Sequence, residues 1–334
     1  MHAYRLESPD GPSSLAKVQL PVPSPGRGEV VIDVKASSLN FRDLIMCRGK
    51  YPGAVNYPLV PCSDAAGVVT AVGEGVTKWA VGDRVMPNFM RDWVGGEISA
   101  QHQDSALGGA IDGVLAEQIC MPDYSLVRVP EHLSFAEAAT LPCAAVTAWN
   151  ALAGSGMKAG DTVLLLGTGG VSIFGLQLAH AAGCTTIVTS SSDDKLEQAK
   201  ALGATHTINY KTNENWHEQV IELTGGRGAD MVPEVSGVTL NQSMQAIRVG
   251  GHIAVIGLLA RPDSPPNMLN VLHKAQHVRG IYVGSVELFE QLTRAVEANH
   301  LKPVIDKSFA FDDAVGAFEY FASRQHVGKI VIEQ

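Results

Sequence analysis

From residue 163 onward, six short apolar stretches alternate with amphipathic segments, and few folds accept that pattern. The stretches are 163–166, 186–189, 206–208, 231–235, 253–256 and 278–283, and the helical segments between them are 172–182, 193–202, 214–223, 239–248 and 267–276. A strand as apolar as Val163-Leu164-Leu165-Leu166 needs cover on both faces, which a parallel sheet obtains from its crossover helices. Six such units describe an α/β fold with a doubly wound, six-stranded parallel sheet. Pro233 is awkward there, because proline removes a ladder donor from the fourth strand.

The first third is different. Short strand candidates at 30–34, 68–72, 82–85 and 116–121 are fenced by glycines and carry little helical periodicity. A long helical stretch, 135–153, leads into the alternating region. The tail returns to mixed structure: helix 286–299, strand 304–309, helix 312–323 and strand 329–332. At 334 residues two cores are expected. The expected division is a β-rich domain of 1–123 with 284–334, and a dinucleotide-type domain of 124–283.

The first of the six strands runs into Gly167-Thr168-Gly169-Gly170-Val171-Ser172. Gly167 suits a tight turn, Gly169 lets backbone approach a pyrophosphate, and the helix N-terminus offers unpaired N–H groups. Gly167, Gly169, Gly170 and Val171 are therefore expected to contact a dinucleotide, with Ser172 standing where the fingerprint's third glycine would be. The second strand ends in Thr189-Ser190-Ser191-Ser192-Asp193-Asp194-Lys195 rather than in an acid that would bind a ribose hydroxyl. Ser191, Ser192 and Lys195 suit a 2′-phosphate, so NADP(H) is the expected cofactor and NAD(H) the alternative. Ser191 with Asp194 also reads as a helix cap. Gly257 and Leu258 end the fifth strand, on the side where such sheets bind ligands.

A formal net charge of −9 argues against nucleic acid as the main partner. The five cysteines form no CxxC pair, which suits a reducing compartment. No apolar run approaches the length of a membrane span, so a cytoplasmic protein is expected.

Several blocks in fixed order carry a resemblance. They are Asn40-Phe41-Arg42-Asp43; Gly67 to Gly75 followed by Val81-Gly82-Asp83-Arg84-Val85; Leu141-Pro142-Cys143 to Trp149; the glycine turn; Ile208-Asn209-Tyr210; and Gly328-Lys329-Ile330-Val331-Ile332. Together they resemble the medium-chain dehydrogenase/reductase superfamily, in its zinc-independent, quinone-reductase-like branch. The resemblance implies a GroES-like catalytic domain beside the Rossmann domain, and a homodimer whose six-stranded sheets join at the strand 278–283.

Zinc alcohol dehydrogenases of that superfamily resemble this chain at the frame Cys62-Ser63-Asp64 to Gly67, Gly73 and Val76. Ser63 stands where their histidine ligand would be, Asn40 falls where their first cysteine ligand is, and only Cys143 keeps a ligand type. Residues 86–115 hold no cysteine for a structural zinc. One thiolate cannot hold zinc, so no metal is expected. His273 and His277, one helical turn apart, lack a third ligand. The resemblance also implies that Lys195 and Tyr210 grip a 2′-phosphate, that Thr147 packs beside the nicotinamide, and that Lys329 neutralises a phosphate.

Without a Lewis acid, a quinone or α,β-unsaturated carbonyl is the expected small-molecule substrate. Conjugation already makes one of its carbons electrophilic, and the protein needs only orientation and donors for the developing enolate oxygen. Asn40, Ser63 and Tyr51 are candidate donors, Arg42 a further one, and Asp43 is expected to orient their loop. The segment 88–113 is a candidate lid. Two other readings stand beside this one: a zinc-independent alcohol or aldehyde/ketone dehydrogenase, and an NADPH-binding sensor or structural protein without turnover.

Overall fold

The computed structural model describes residues 1–52, 55–257 and 264–334. They form two compact units, Met1–Val146 with Val283–Gln334, and Thr147–Tyr282. The boundary expected at 123/124 falls inside the first unit. The strand Leu126–Arg128 pairs antiparallel with Arg84–Pro87, so the chain cannot leave that unit before this strand is complete.

In the second unit all six strands are parallel. Their spatial order is His206–Asn209, Thr185–Ser190, Thr162–Leu166, Ala229–Glu234, Ile247–Val255, His277–Gly280. Numbered by sequence this is 3-2-1-4-5-6, the Rossmann order, which reverses between Thr162–Leu166 and Ala229–Glu234. Both central strands are buried along their whole length. Pro233 finds its explanation in the pairing. Glu234 O accepts from Ile256 N, so by alternation Pro233 faces the other neighbour, where the register holds only at Met231 with Val163. The missing donor falls where the ladder is already thin.

One carboxylate ties the amino ends of three strands. Asp230 accepts from Thr162 N at 2.8 Å, from Arg227 through both oxygens at 2.8 and 2.7 Å, and from Arg248 Nε at 2.5 Å. Burial pushes its pKa up, yet Arg227, the Thr162 amide and Arg248 together hold it down at about 2. The sixth strand is an edge whose four residues are all exposed. His273 and His277 do not share a helix: the helix Met268–His273 ends at the first, and the second lies on the edge strand, stacked on His252 with centroids 4.6 Å apart.

In the first unit the ten-residue strand Glu29–Ser38 is the hub. One edge pairs with Asp64–Val72 along its length. The other is shared, Gln118–Pro122 taking the first half and the C-terminal strand Lys329–Glu333 taking the last three residues. A core of Val30, Ile32, Val34, Val69, Val85, Leu126, Phe318 and Ile330 fills the space behind it. The stretch expected as one helix at 135–153 is broken into Phe135–Ala138, a π-helical turn Leu141–Ala145 and Val146–Ala153. Pro142 lacks the N–H that a continuous α-helix would use there. Among the described residues no helix is long and apolar enough to cross a membrane.

The Asp230 cluster sets a pH dependence. Its folded pKa of about 2 lies below the ordinary 3.8, so its contribution is full above about 4 and is lost as pH falls through 2. That shift corresponds to about 2 kcal/mol. Asp230→Asn should lower the unfolding free energy by at least about that amount at pH 7. The gap to the parent should close between pH 4 and 2, as read from denaturant titrations at each pH.

Candidate active site and dinucleotide site

The hub strand sets out the first site by register. Ser38 pairs with Asp64 on one side and with Val331 on the other. Leu39 N donates to Ile330 O, so two residues further along Lys329 comes opposite Asn40. Asn40 is where the strand turns into the helix Phe41–Cys47, whose N-cap it is; its backbone N–H donates to Asp43 Oδ2 at 2.8 Å. Burial pushes the Asp43 carboxyl up to about 6, against the pull of Arg42 and of the Asn40 amide.

Lys329 is only 3% exposed. Its ammonium donates to Asn40 Oδ1 at 2.6 Å and to Leu39 O at 2.7 Å, and stands 3.6 Å from Asp64 Oδ2. An ammonium has no acceptor to offer, so the oxygen end of the Asn40 amide must face it. The nitrogen end then points away, and Asn40 Nδ2 is buried with no hydrogen-bond partner among the described residues. Buried donors are nearly always paired, so an orphan marks a place where a ligand or water completes the set.

Asp64, fully buried, collects the remaining groups. Ser63 Oγ donates to its Oδ1 at 2.7 Å, Cys143 N lies 3.3 Å from its Oδ2, and Ser38 Oγ is at 3.4 Å. Ser63 was expected to offer a donor to substrate; its single hydroxyl hydrogen is committed to Asp64 instead. Lys329, expected at a phosphate, is committed to Asn40 and Leu39. Cys143 sits on the π-helical turn, and desolvation together with Asp64 pushes its thiol well above the ordinary range. Cys47, Cys62, Cys120 and Cys184 are pushed up too, first by burial.

Arg42 donates through Nη1 to Leu107 O at 2.6 Å and lies 4.5 Å from the centroid of Phe89 and 5.7 Å from that of Tyr51. This anchors the candidate lid: Asn88, Phe89, Met90 and Leu107 are fully buried, and the exposed positions fall mainly between 94 and 104, with Ala110 and Asp112 beyond them. No cluster of three His, Cys, Asp or Glu suited to a metal ion occurs among the described residues.

In the second unit the glycine turn sits at the carboxyl end of Thr162–Leu166. Gly167 has φ +75°, and a Cβ at Gly167 or Gly169 would meet nothing within 4 Å, which leaves open space against the backbone. The helix Gly170–Ala181 starts there, its first intrahelical bond being Ile173 N to Gly169 O, so the N–H groups of Gly170, Val171 and Ser172 precede the ladder. Ser172 replaces glycine at a gain: its hydroxyl donates to Leu166 O at 2.7 Å, clamping helix to strand. Close packing is supplied one turn on, where a Cβ on Gly175 would lie 2.7 Å from a Leu165 methyl.

At the second strand's end the helix cap is Ser192, which accepts from Lys195 N, one residue later than expected from Ser191 and Asp194. Tyr210 N donates to Ser190 O, and Asn209 Nδ2 binds the Asp193 carboxylate at 2.7 Å. The corner thus gathers Ser190, Ser191, Ser192, Lys195 and Tyr210, with one opposing acid already engaged. Gly257 follows the fifth strand, where a Cβ would lie 2.8 Å from Val235 O. Leu258 lies outside the described residues. Thr147 is a buried position on the helix Val146–Ala153.

Sequence reasoning missed two residues of the first site. Asp64 had a signal, an acid inside the small, apolar run from Cys62 to Gly67, where only a buried and partnered carboxylate is tolerable. The pairing of Lys329 with Asn40 had none, since only sheet register brings together positions 289 apart.

Residues 26–131 match the alcohol dehydrogenase GroES-like domain, and residues 170–298 match the zinc-binding dehydrogenase family. A zinc-type alcohol dehydrogenase-like protein of Schizosaccharomyces pombe is 46% identical over 92% of this chain and 91% of its own. A 2-methylene-furan-3-one reductase of Solanum lycopersicum is 32% identical over 93% of this chain and 73% of its own. Among solved structures, a protein assigned as an alcohol dehydrogenase from Sinorhizobium meliloti 1021 superposes with a TM-score of 0.93 at 41% identity, covering 100% of this chain and 98% of that one. With the GroES-like and Rossmann units both in place, the chain belongs to the medium-chain dehydrogenase/reductase superfamily of oxidoreductases.

Proposed function

We propose that this protein is a zinc-independent, NADP(H)-dependent reductase of quinones or activated alkenes. The observation that carries the reading is the orphaned Asn40 Nδ2, a buried donor held in one orientation and left without an acceptor. A reduced nicotinamide, when bound, would supply a hydride to the β-carbon of such an acceptor, and water the proton that completes the product. Asn40 Nδ2 is the group that would donate to the carbonyl oxygen as negative charge develops there, and Tyr51 and Arg42 border its loop. Donors fixed before the reaction stabilise such an oxygen without reorganising. The tomato relative, by its name a reductase of a conjugated ketone, is consistent with this chemistry.

The donor set does not fit zinc. It comprises an amide, a hydroxyl already given to Asp64 and one thiol pushed toward its protonated form, with the Lys329 ammonium among them. Catalytic zinc needs about three protein ligands. In the second unit Gly167, Gly169, Gly170 and Val171 would hold the pyrophosphate, and Ser191, Ser192, Lys195 and Tyr210 the 2′-phosphate. Thr147 and Gly257 are proposed to border the nicotinamide half. The exposed edge strand His277–Gly280, with Met268, Leu269 and Leu272 exposed nearby, supports a homodimer, and five free cysteines support a reducing compartment such as the cytoplasm.

Turnover of NADPH with a 2-enone or a quinone tests the reading, against simple alcohols and aldehydes as the competing substrates. Chelation by EDTA should leave the rate unchanged; chelator-sensitive activity confined to alcohols would replace this reading with a metal-dependent dehydrogenase. Asn40→Ala should lower kcat about a hundredfold, the usual loss for one oxyanion donor, with KM for NADPH unaltered. Lys195→Ala should raise KM for NADPH about tenfold, the worth of one charge-assisted contact, and leave NADH kinetics as they were.

A further inference from the structure

We propose that Lys329 is the positioning residue of the first site, a built-in cation that orients the Asn40 amide and supplies beside it the positive charge that a metal ion would otherwise bring. The inference rests on the reading of Asn40 as the oxyanion donor, and goes beyond it by assigning how that donor is held and polarised.

Three observations carry it. Lys329 is 3% exposed, and a buried ammonium persists only where its partners repay desolvation. Its partners are unequal: the two short bonds, 2.6 and 2.7 Å, go to the neutral oxygens of Asn40 and Leu39, while the Asp64 carboxylate stands off at 3.6 Å. The acid thus balances the charge without quenching the bond to the amide. Finally, Asn40 is spoken for at one end only. Lys329 holds Oδ1 and no described residue accepts from Nδ2, so withdrawal of electron density by the ammonium passes through the amide to that amino group. Hydrogen bonds in series polarise one another in the same sense.

Asp64 completes the device. Ser63 Oγ donates to its Oδ1, while Cys143 N and the lysine ammonium share its Oδ2, so the lysine reaches both the acid and the amide. A lysine kept only to join the C-terminal strand to the hub would satisfy the same distances. The two roles differ in what they predict for charge on a bound oxygen.

The test uses the full-length protein and Lys329→Met, Lys329→Arg, Asn40→Ala and the Lys329→Met/Asn40→Ala double variant, each checked by thermal unfolding. With NADPH and a 2-enone, Lys329→Met should lose about a hundredfold in kcat while KM for NADPH stays within twofold. The double variant should be no more than about threefold worse than either single one, because both substitutions disable one donor. Lys329→Arg, which keeps the charge, should retain at least a tenth of the parent kcat. Independent losses that multiply, or a raised KM for NADPH at unchanged kcat in either lysine variant, would overturn the proposal and return Lys329 to a structural or phosphate-binding role.

A second measurement needs no turnover. 4-Nitrophenol bound to the NADP⁺ complex should ionise at lower pH than in water, seen by its absorbance. The displacement should shrink about tenfold in Lys329→Met and persist in Lys329→Arg. Equal displacement in all variants, or no binding of the phenolate, would overturn the lysine assignment. Absence of enone and quinone turnover in the parent, with the phenolate displacement intact, would instead reject the proposed substrate class alone. If Lys329→Met does not fold, the arginine variant decides: a KM effect on NADPH without a kcat effect rejects the proposal.

Discussion

The first unit depends on a single strand being paired on both edges up to its last residue. Because Ser38 is bonded to the strand of Asp64 on one side and to that of Lys329 on the other, the turn into the helix at Asn40 emerges between an acid and a base. Asn40 does not have to find Lys329 by side-chain flexibility; the ladder delivers it. Backbone pairing is stiff, and it explains how a buried ammonium, two buried carboxylates and an amide can be held in one arrangement.

The second unit uses the same economy at the two ends of one buried strand. At the start of Ala229–Glu234, Asp230 draws in groups from the strands on either side and from its own entry loop. At the end, Glu234 collects Ser236 N, Gly237 N and Thr239 Oγ on one oxygen and Ser243 Oγ on the other. One acid locks the floor of the sheet, and the other shapes the loop that follows the strand next to the glycine turn. A dinucleotide-binding sheet needs that rigidity where its direction reverses, because the ligand lies against loops rather than against strands.

Much of this was legible from residue types alone. The six strands, their helices and the glycine turn follow from periodicity and from where glycine is required, and those are local properties. Three failures have local causes of another kind. The helix at 135–153 breaks because Pro142 outweighs good helix formers, the cap shifts by one residue along a run of three serines that are chemically equivalent, and His277 belongs to a strand because helical spacing is blind to the turn before it. The contact of Lys329 with Asn40 is different in kind. Register between strands nearly 300 positions apart is a property of the folded sheet, and nothing in either segment announces the other. The bond of Ser63 to Asp64 was hidden for a related reason, since its identity gave its chemistry but not the neighbour that takes its hydrogen.

The protonated thiol of Cys143 has one more consequence. A conjugated ketone or quinone is an alkylating agent, and a thiolate beside it would add to the same electrophilic carbon that is meant to receive hydride. Desolvation and the adjacent Asp64 carboxylate keep this sulfur in its unreactive form. With the proposed quinone or enone as substrate, the acid beside the lysine would therefore also protect the protein from alkylation.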